Sequence, residues 1–366
     1  MPSIHLLGII CLLFSCSKNA MPPDSVRTED ALYFPDQESE IWATTSMGEL
    51  NWNTPAALDL YDYLSENRTR AFIILHKGKI VTEKYWGENI QKTGPFDKNS
   101  QWYWASAGKT LTAFLTGLAQ QQKLLNINDK TSNYLGKNWT SMPIEKENQI
   151  TIRHQLTMTT GLDFTTDDNT CTTSDCLNYK VDPGTQWFYH NAPYTLLAAV
   201  LSSASKQSYN EFTTQQLRSK IGMDGQWRSH KNNVVYWSTA RSAARFGLLL
   251  LSKGKWGDDD IMTDTAFLAA MTTPSQDLNP SYGFLTWLNG QSAIVLPGQT
   301  TVIQQTLAEA APSDLFAAMG KNGQFINVVP GQDLVIVRMG EAPANDLVPL
   351  IFHNEMWKKI HAVIQK

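Results

Sequence analysis

Trp104-Ala105-Ser106-Ala107-Gly108-Lys109-Thr110 leads into an apolar segment and places a serine three residues ahead of a lysine. The spacing predicts one helix over residues 106–122 with both side chains on one face. A serine hydroxyl is a poor nucleophile at neutral pH and needs a base beside it. A lysine held in a dry site near other cations is neutral enough to serve. A helix N-terminus adds unpaired N–H groups and a positive dipole end, which stabilise negative charge developing near Ser106. The same residues also fit a plain helix start, with Ser106 as N-cap and Lys109 as a solvated first-turn charge. The pair therefore decides nothing alone.

Upstream of it, apolar residues at helical spacing predict a helix over residues 56–66, with Thr54-Pro55 suited to its start. Two stretches, 71–75 and 79–86, then read as strands around Lys77-Gly78. Downstream, helical patterns recur over 152–157, 192–204, 209–220 and 238–251, separated by loops rich in Asn, Asp, Gly and Pro. Strands return over 315–319, 324–329 and 334–339, with turn signals at Asn322-Gly323 and Pro330-Gly331, and an amphipathic helix over 347–364 closes the chain. Strands at both ends of a helical insert imply one α/β body (about 51–105 and 290–366), one helical body (about 106–289) and a cleft between them.

Two further motifs follow Ser-x-x-Lys in order: Tyr189-x-Asn191, within Pro183-Gly184-Thr185-Gln186-Trp187-Phe188-Tyr189-His190-Asn191-Ala192-Pro193-Tyr194, and Lys321-Asn322-Gly323, within Met319-Gly320-Lys321-Asn322-Gly323-Gln324. At these points the chain resembles the serine β-lactamase and penicillin-binding protein superfamily. The likeness is to its class C-like branch, which also holds carboxylesterases, D-aminopeptidases and 6-aminohexanoate-dimer hydrolases. It extends through residues 150–162, Ala244-Arg245-Phe246-Gly247 and Tyr282-Gly283-Phe284. The resemblance implies an α/β (α+β) fold of β-lactamase/transpeptidase type: an antiparallel sheet flanked by helices, a mainly helical domain, and the active site in the cleft between them.

It also implies roles. Ser106 attacks a carbonyl and forms an acyl-enzyme. Tyr189 deprotonates Ser106 while Lys109 and Lys321 stabilise the phenolate, and later returns the proton to the leaving group. The backbone N–H groups of Ser106 and Gln324 form the oxyanion hole. Asn191, Lys321, Asn322 and Gly323 bind substrate, and neither metal nor cofactor is needed. Asn322 stands where β-lactamases and penicillin-binding proteins usually carry Thr or Ser. Met158 replaces a common His, as in the 6-aminohexanoate-dimer hydrolase group. Both departures point to an esterase or amidase acting on a small ester, amide or peptide, rather than to a β-lactamase or DD-peptidase. A non-catalytic surface binding module would show a broken motif, and none of the three is broken. Trp102, Tyr103, Trp104 and Trp187 flank the motifs as candidate walls of an acyl pocket, with core packing the plainer reading.

Lys+Arg 30 against Asp+Glu 34 gives a net charge of −4, which excludes a basic nucleic-acid binder. The amino terminus carries a nine-residue apolar run, 6–14, too short to span a bilayer. It is followed by Ser15-Cys16, so residues 1–16 resemble a lipoprotein signal peptide with Cys16 lipidated. Membrane contact is then expected only through that anchor, residues 17–50 form a polar tether, and the folded part at 51–366 is exported, periplasmic or at the outer membrane. Cys171 and Cys176, five apart in an exported chain, suit a disulfide. His-Glu-x-x-His, Walker and Gly-x-Ser-x-Gly motifs are absent, and Asp258-Asp259-Asp260 reads as a solvated turn.

Overall fold

Apolar residues fill consecutive positions over 71–75 and 334–337 and all but Gln324 and Asn327 of 324–329, the pattern of strands covered on both faces. The computed structural model, which describes residues 1, 31–166, 168–343 and 348–365, places these runs in one six-stranded antiparallel sheet. Its strands are β1 (Thr69–His76), β2 (Lys79–Tyr85), β8 (Trp287–Leu288), β9 (Phe316–Gly320), β10 (Gln324–Val329) and β11 (Leu334–Gly340), in the order β2-β1-β11-β10-β9-β8. The expected union of strands from both ends of the chain is present: Phe72 pairs with Arg338 across β1 and β11.

Neighbouring residues of a strand point to opposite faces. On β10, Ile326 lies against Gly247 of the helix Ala240–Leu251, while Phe325 stacks on Phe352 of the helix Leu350–Ile364. Helices thus cover both faces. Ala240–Leu251 packs on the sheet although it falls in the segment assigned to the helical body, and residues Leu32–Lys366 form one packed unit. Three strands also lie within or beside that segment: β3 (Trp102–Tyr103) pairs with β5 (Asn233–Ser238), which pairs with β4 (Gln226–His230).

Residues 33–50, expected to belong to a polar tether, are instead docked on the fold. Trp42 and Met47 are buried, Trp42 donates its indole N–H to Gly78 O, and Thr44 bridges to Ile80. Arg245, buried in the helix Ala240–Leu251, donates to the carbonyls of Pro35, Asp36 and Ser39. A few apolar anchors and backbone carbonyls suffice to dock a stretch that lacks any periodic pattern. The signal segment 1–16, Cys16 and residues 17–30 lie outside the described residues. Among the described residues no helix is long and apolar enough to cross a membrane, and no acidic or His/Cys cluster has the makings of a metal site. Asp259 and Asp260 form β7 of a surface hairpin with β6 (Lys255–Trp256), where Asp260 pairs with Lys255 at 2.6 Å.

Candidate active site

After α1 (Ala56–Glu66), helix α2 (Gly108–Gln121) is buried along nearly its whole length, from Gly108 to Ala119, so whatever begins it is held from every side. It is preceded by a single 3-10 turn, Ala105–Ala107, entered through Ala105 at φ 48°. A left-handed alanine costs about 1 kcal/mol, and that strain sits on the residue before Ser106. Ser106 is not an N-cap: neither that turn nor α2 has a side-chain cap. The end of β9 abuts the same turn. A Cβ on Gly320 would lie 2.5 Å from Trp104 O and 3.0 Å from Ser106 N, so only glycine lets the sheet approach the serine this closely.

Lys109, 3% exposed, has its Nζ 3.0 Å from Ser106 Oγ and 2.9 Å from Asn191 Oδ1. The same nitrogen lies over the rings of Tyr194 (4.0 Å to the centroid) and Tyr189 (4.9 Å). Burial, with no carboxylate to offset it, lowers this lysine from its ordinary 10.5 to about 7. Near neutrality the amine and ammonium forms coexist, and the amine offers a lone pair to the Ser106 hydroxyl. Burial pushes Tyr189 well above the ordinary phenol range, and hydrogen bonding to Ser106 only partly opposes it. The ring of Tyr189 is fixed by stacking on Trp287 and by edge contacts with Tyr282 and Trp187. Ser106, Lys109, Tyr189 and Asn191 are therefore brought together, in a site with a buried base candidate and a phenol held neutral.

They sit in a cavity of about 400 Å³ that Lys321 also lines. One wall is Asn169 and Thr170, and the facing wall is His230, Asn233, Val234 and Val235 of the β4–β5 hairpin. Pro297, Gly298 and Val348 also line it, and among the described residues no acidic side chain does. None of these wall residues was read from the sequence. The β-branched and aromatic run Val234-Val235-Tyr236-Trp237 was a usable strand signal. Asn169 and Thr170 carry no local signal, because their place depends on contacts far along the chain.

Three sequence expectations need correction. Asn322 and Gly323 do not face the cavity. Asn322, at φ 66°, donates its side-chain amide to Tyr103 OH at 2.7 Å, and the carbonyls of Asn322 and Gly323 accept from the buried guanidinium of Arg338. They form the β9–β10 turn, as Asn-Gly favours. Gln324 lies past that turn, paired with Gly320. Its buried side chain donates to Gly340 O and accepts from Gly340 N, and the backbone beside Ser106 is instead Gly320-Lys321. Trp102, Tyr103, Trp104 and Trp187 do not line the cavity: the indoles of Trp102 and Trp104 donate to Gly340 O and Ser238 Oγ from within the core. His190, inside the Tyr189-x-Asn191 motif, is buried outside the cavity, and burial lowers it to about 4, so it stays neutral. Cys171 and Cys176 are joined in a disulfide next to the Asn169-Thr170 wall.

A serine at the start of a buried helix, touching a buried lysine under an antiparallel sheet with helices on both faces, defines serine hydrolases of β-lactamase/transpeptidase fold. A family model described as Beta-lactamase matches residues 65–346, and the chain belongs to that family. An uncharacterised protein of Alkalihalophilus pseudofirmus is 25% identical over 295 residues, covering 72% of this chain and 81% of its own. Among solved structures, the putative 6-aminohexanoate-dimer hydrolase from Bacillus anthracis has a TM-score of 0.67 at 17% identity, over 90% of this chain and 89% of that one. The novel penicillin-binding protein homologue from Caulobacter crescentus has a TM-score of 0.66 at 12% identity, over 85% and 98%. These likenesses show a shared fold. The protein is a serine hydrolase of this superfamily, a class that acts on small molecules.

Proposed function

We propose that the protein cleaves an ester or amide bond of a small molecule through an acyl-enzyme on Ser106. The observation that carries this reading is the buried Lys109 amine set between Ser106 Oγ and Asn191 Oδ1, with no carboxylate beside it among the described residues. Neutral Lys109 takes the Ser106 proton, Oγ adds to the carbonyl, and the backbone N–H groups of Ser106 and Lys321 face the oxyanion. Tyr189, kept as a phenol by burial, gives its proton to the departing alcohol or amine, and the Lys109 ammonium against its ring replaces it. A water molecule then attacks the ester, with Lys109 again as base. This exchanges the roles first expected of the two residues: a lysine lowered to about 7 suits a base better than a phenol raised by burial.

The preference for an ester or amide over a β-lactam no longer leans on Asn322, which is turned into the hairpin. It leans on the apolar side of the cavity, Val234, Val235, Pro297 and Val348, which suits a short acyl group. Purified protein and its Ser106→Ala variant, assayed against short-chain esters, amides, D-amino peptides and β-lactams, test the reading. Ester or amide turnover lost in the variant supports it, whereas turnover of β-lactams alone assigns the site to antibiotic hydrolysis.

A further inference from the structure

We propose that Asn169, two residues ahead of the disulfide-closed loop Cys171–Cys176, is a positioning residue that fixes the Asn191 amide so that its oxygen faces Lys109; this rests on the base assignment above. The Asn191 amide has two unlike ends. Its Oδ1 is 2.9 Å from Lys109 Nζ, and its Nδ2 donates to Asn169 Oδ1 at 3.3 Å. A side-chain amide rotated by half a turn would present its N–H groups to the lysine, and an acceptor on the far side that takes one of those N–H groups favours the observed orientation even when the lysine is a neutral amine. Asn169 also accepts at its backbone carbonyl from Ala192 N at 3.0 Å, so loop and Asn191 segment are joined twice.

The loop that carries Asn169 is braced at both ends. Asp168 accepts from Thr170 N at 2.9 Å and, across the cavity mouth, from Asn232 Nδ2 at 3.1 Å. Asp168 O accepts from Cys171 N at 3.1 Å, immediately before the Cys171–Cys176 disulfide. The cystine closes a short exposed loop that has no core of its own to hold it, so it restrains the strand of chain from which Asn169 reaches the site.

The test compares wild type with Asn169→Ala and Asn169→Asp in p-nitrophenyl ester hydrolysis across pH, with fluorophosphonate labelling measured in parallel. The titratable groups around the lysine are Tyr189 and Tyr194, with His230 and Lys321 elsewhere on the cavity. Removing the acceptor is expected to lower kcat about tenfold, the worth of one hydrogen bond, with KM changed less than about twofold. The low-pH limb of kcat moves down, because a rotated Asn191 no longer offers its oxygen to the ammonium. Asn169→Asp keeps the acceptor, restores kcat and moves the same limb up through its added negative charge. Limbs that stay put, or that shift the same way in both variants, overturn the proposal.

Enzyme whose disulfide has been reduced and alkylated is expected to lose activity as Asn169→Ala does, and the same treatment of Asn169→Ala to cost nothing more. No loss in the wild type, or an equal further loss in the variant, overturns the coupling of loop to Asn169. Ester hydrolysis that persists in Ser106→Ala overturns instead the reading on which the proposal rests, so the two failures are distinguishable.

Discussion

Replacing Lys109 by Met should stabilise the protein and remove its activity. The two side chains are of similar length, so the buried slot stays filled. The lowering of Lys109 from 10.5 to about 7, at 1.36 kcal/mol per pH unit, bounds the cost of holding its charge in the fold at about 5 kcal/mol. Against this, Met leaves the buried Asn191 Oδ1 without its partner, which costs about 1–3 kcal/mol. The net expectation near pH 7 is a gain of about 2 kcal/mol.

The pH dependence has a definite sign. The folded state holds the lysine proton less tightly than the unfolded state, so the burden is complete below about pH 7, fades as pH rises, and is gone above 10.5. The stability advantage of Lys109→Met should therefore shrink steadily between pH 7 and pH 10. Urea unfolding at several pH values, read by tryptophan fluorescence, measures it. Ester hydrolysis by the same protein should fall about 10²- to 10⁴-fold, the usual worth of a general base. A variant less stable than wild type at pH 7, a pH-independent difference, or activity within tenfold of wild type would refute the assignment of a buried, partly neutral Lys109.

Two further substitutions probe the neighbouring parts. Gly320→Ala puts a methyl group 2.5 Å from Trp104 O and 3.0 Å from Ser106 N, so it should cost roughly 1–3 kcal/mol of stability and reduce kcat at least about tenfold; a fully active, equally stable variant would contradict the close approach of β9 to the serine. Tyr189→Phe keeps the ring among Trp187, Tyr282 and Trp287 and removes only the hydroxyl, so thermal stability should hold while kcat drops about 10²-fold or more, with the larger loss on substrates with poor leaving groups.

The fold was legible because its strands are short continuous apolar runs and its turns are marked by Lys77-Gly78, Asn322-Gly323 and Pro330-Gly331. The meeting of Ser106 with Lys109 was legible because three residues along a helix is a fixed geometric relation, and Tyr189-x-Asn191 lies on one short stretch. The third motif misled because the distance from Lys321 to its neighbours in sequence says nothing about which of them faces the serine. The hairpin turns Asn322 and Gly323 toward Arg338, a buried cation that the sequence leaves in an ordinary strand pattern. The β4–β5 hairpin was hidden inside a segment otherwise helical, so Val234 and Val235 were passed over. Residues 32–50 were read as tether because their anchors are few and show no period: Leu32-Tyr33-Phe34, Trp42, Met47 and carbonyls that Arg245 collects from across the fold.

The central claim is a covalent intermediate on Ser106, and intact-mass spectrometry of enzyme quenched during turnover of a short-chain ester tests it most directly. The expected result is a mass increase equal to one acyl group, mapped by peptide digestion to Ser106, and no such species in Ser106→Ala. An acyl group mapped to another residue, or unimpaired turnover by Ser106→Ala, would contradict it.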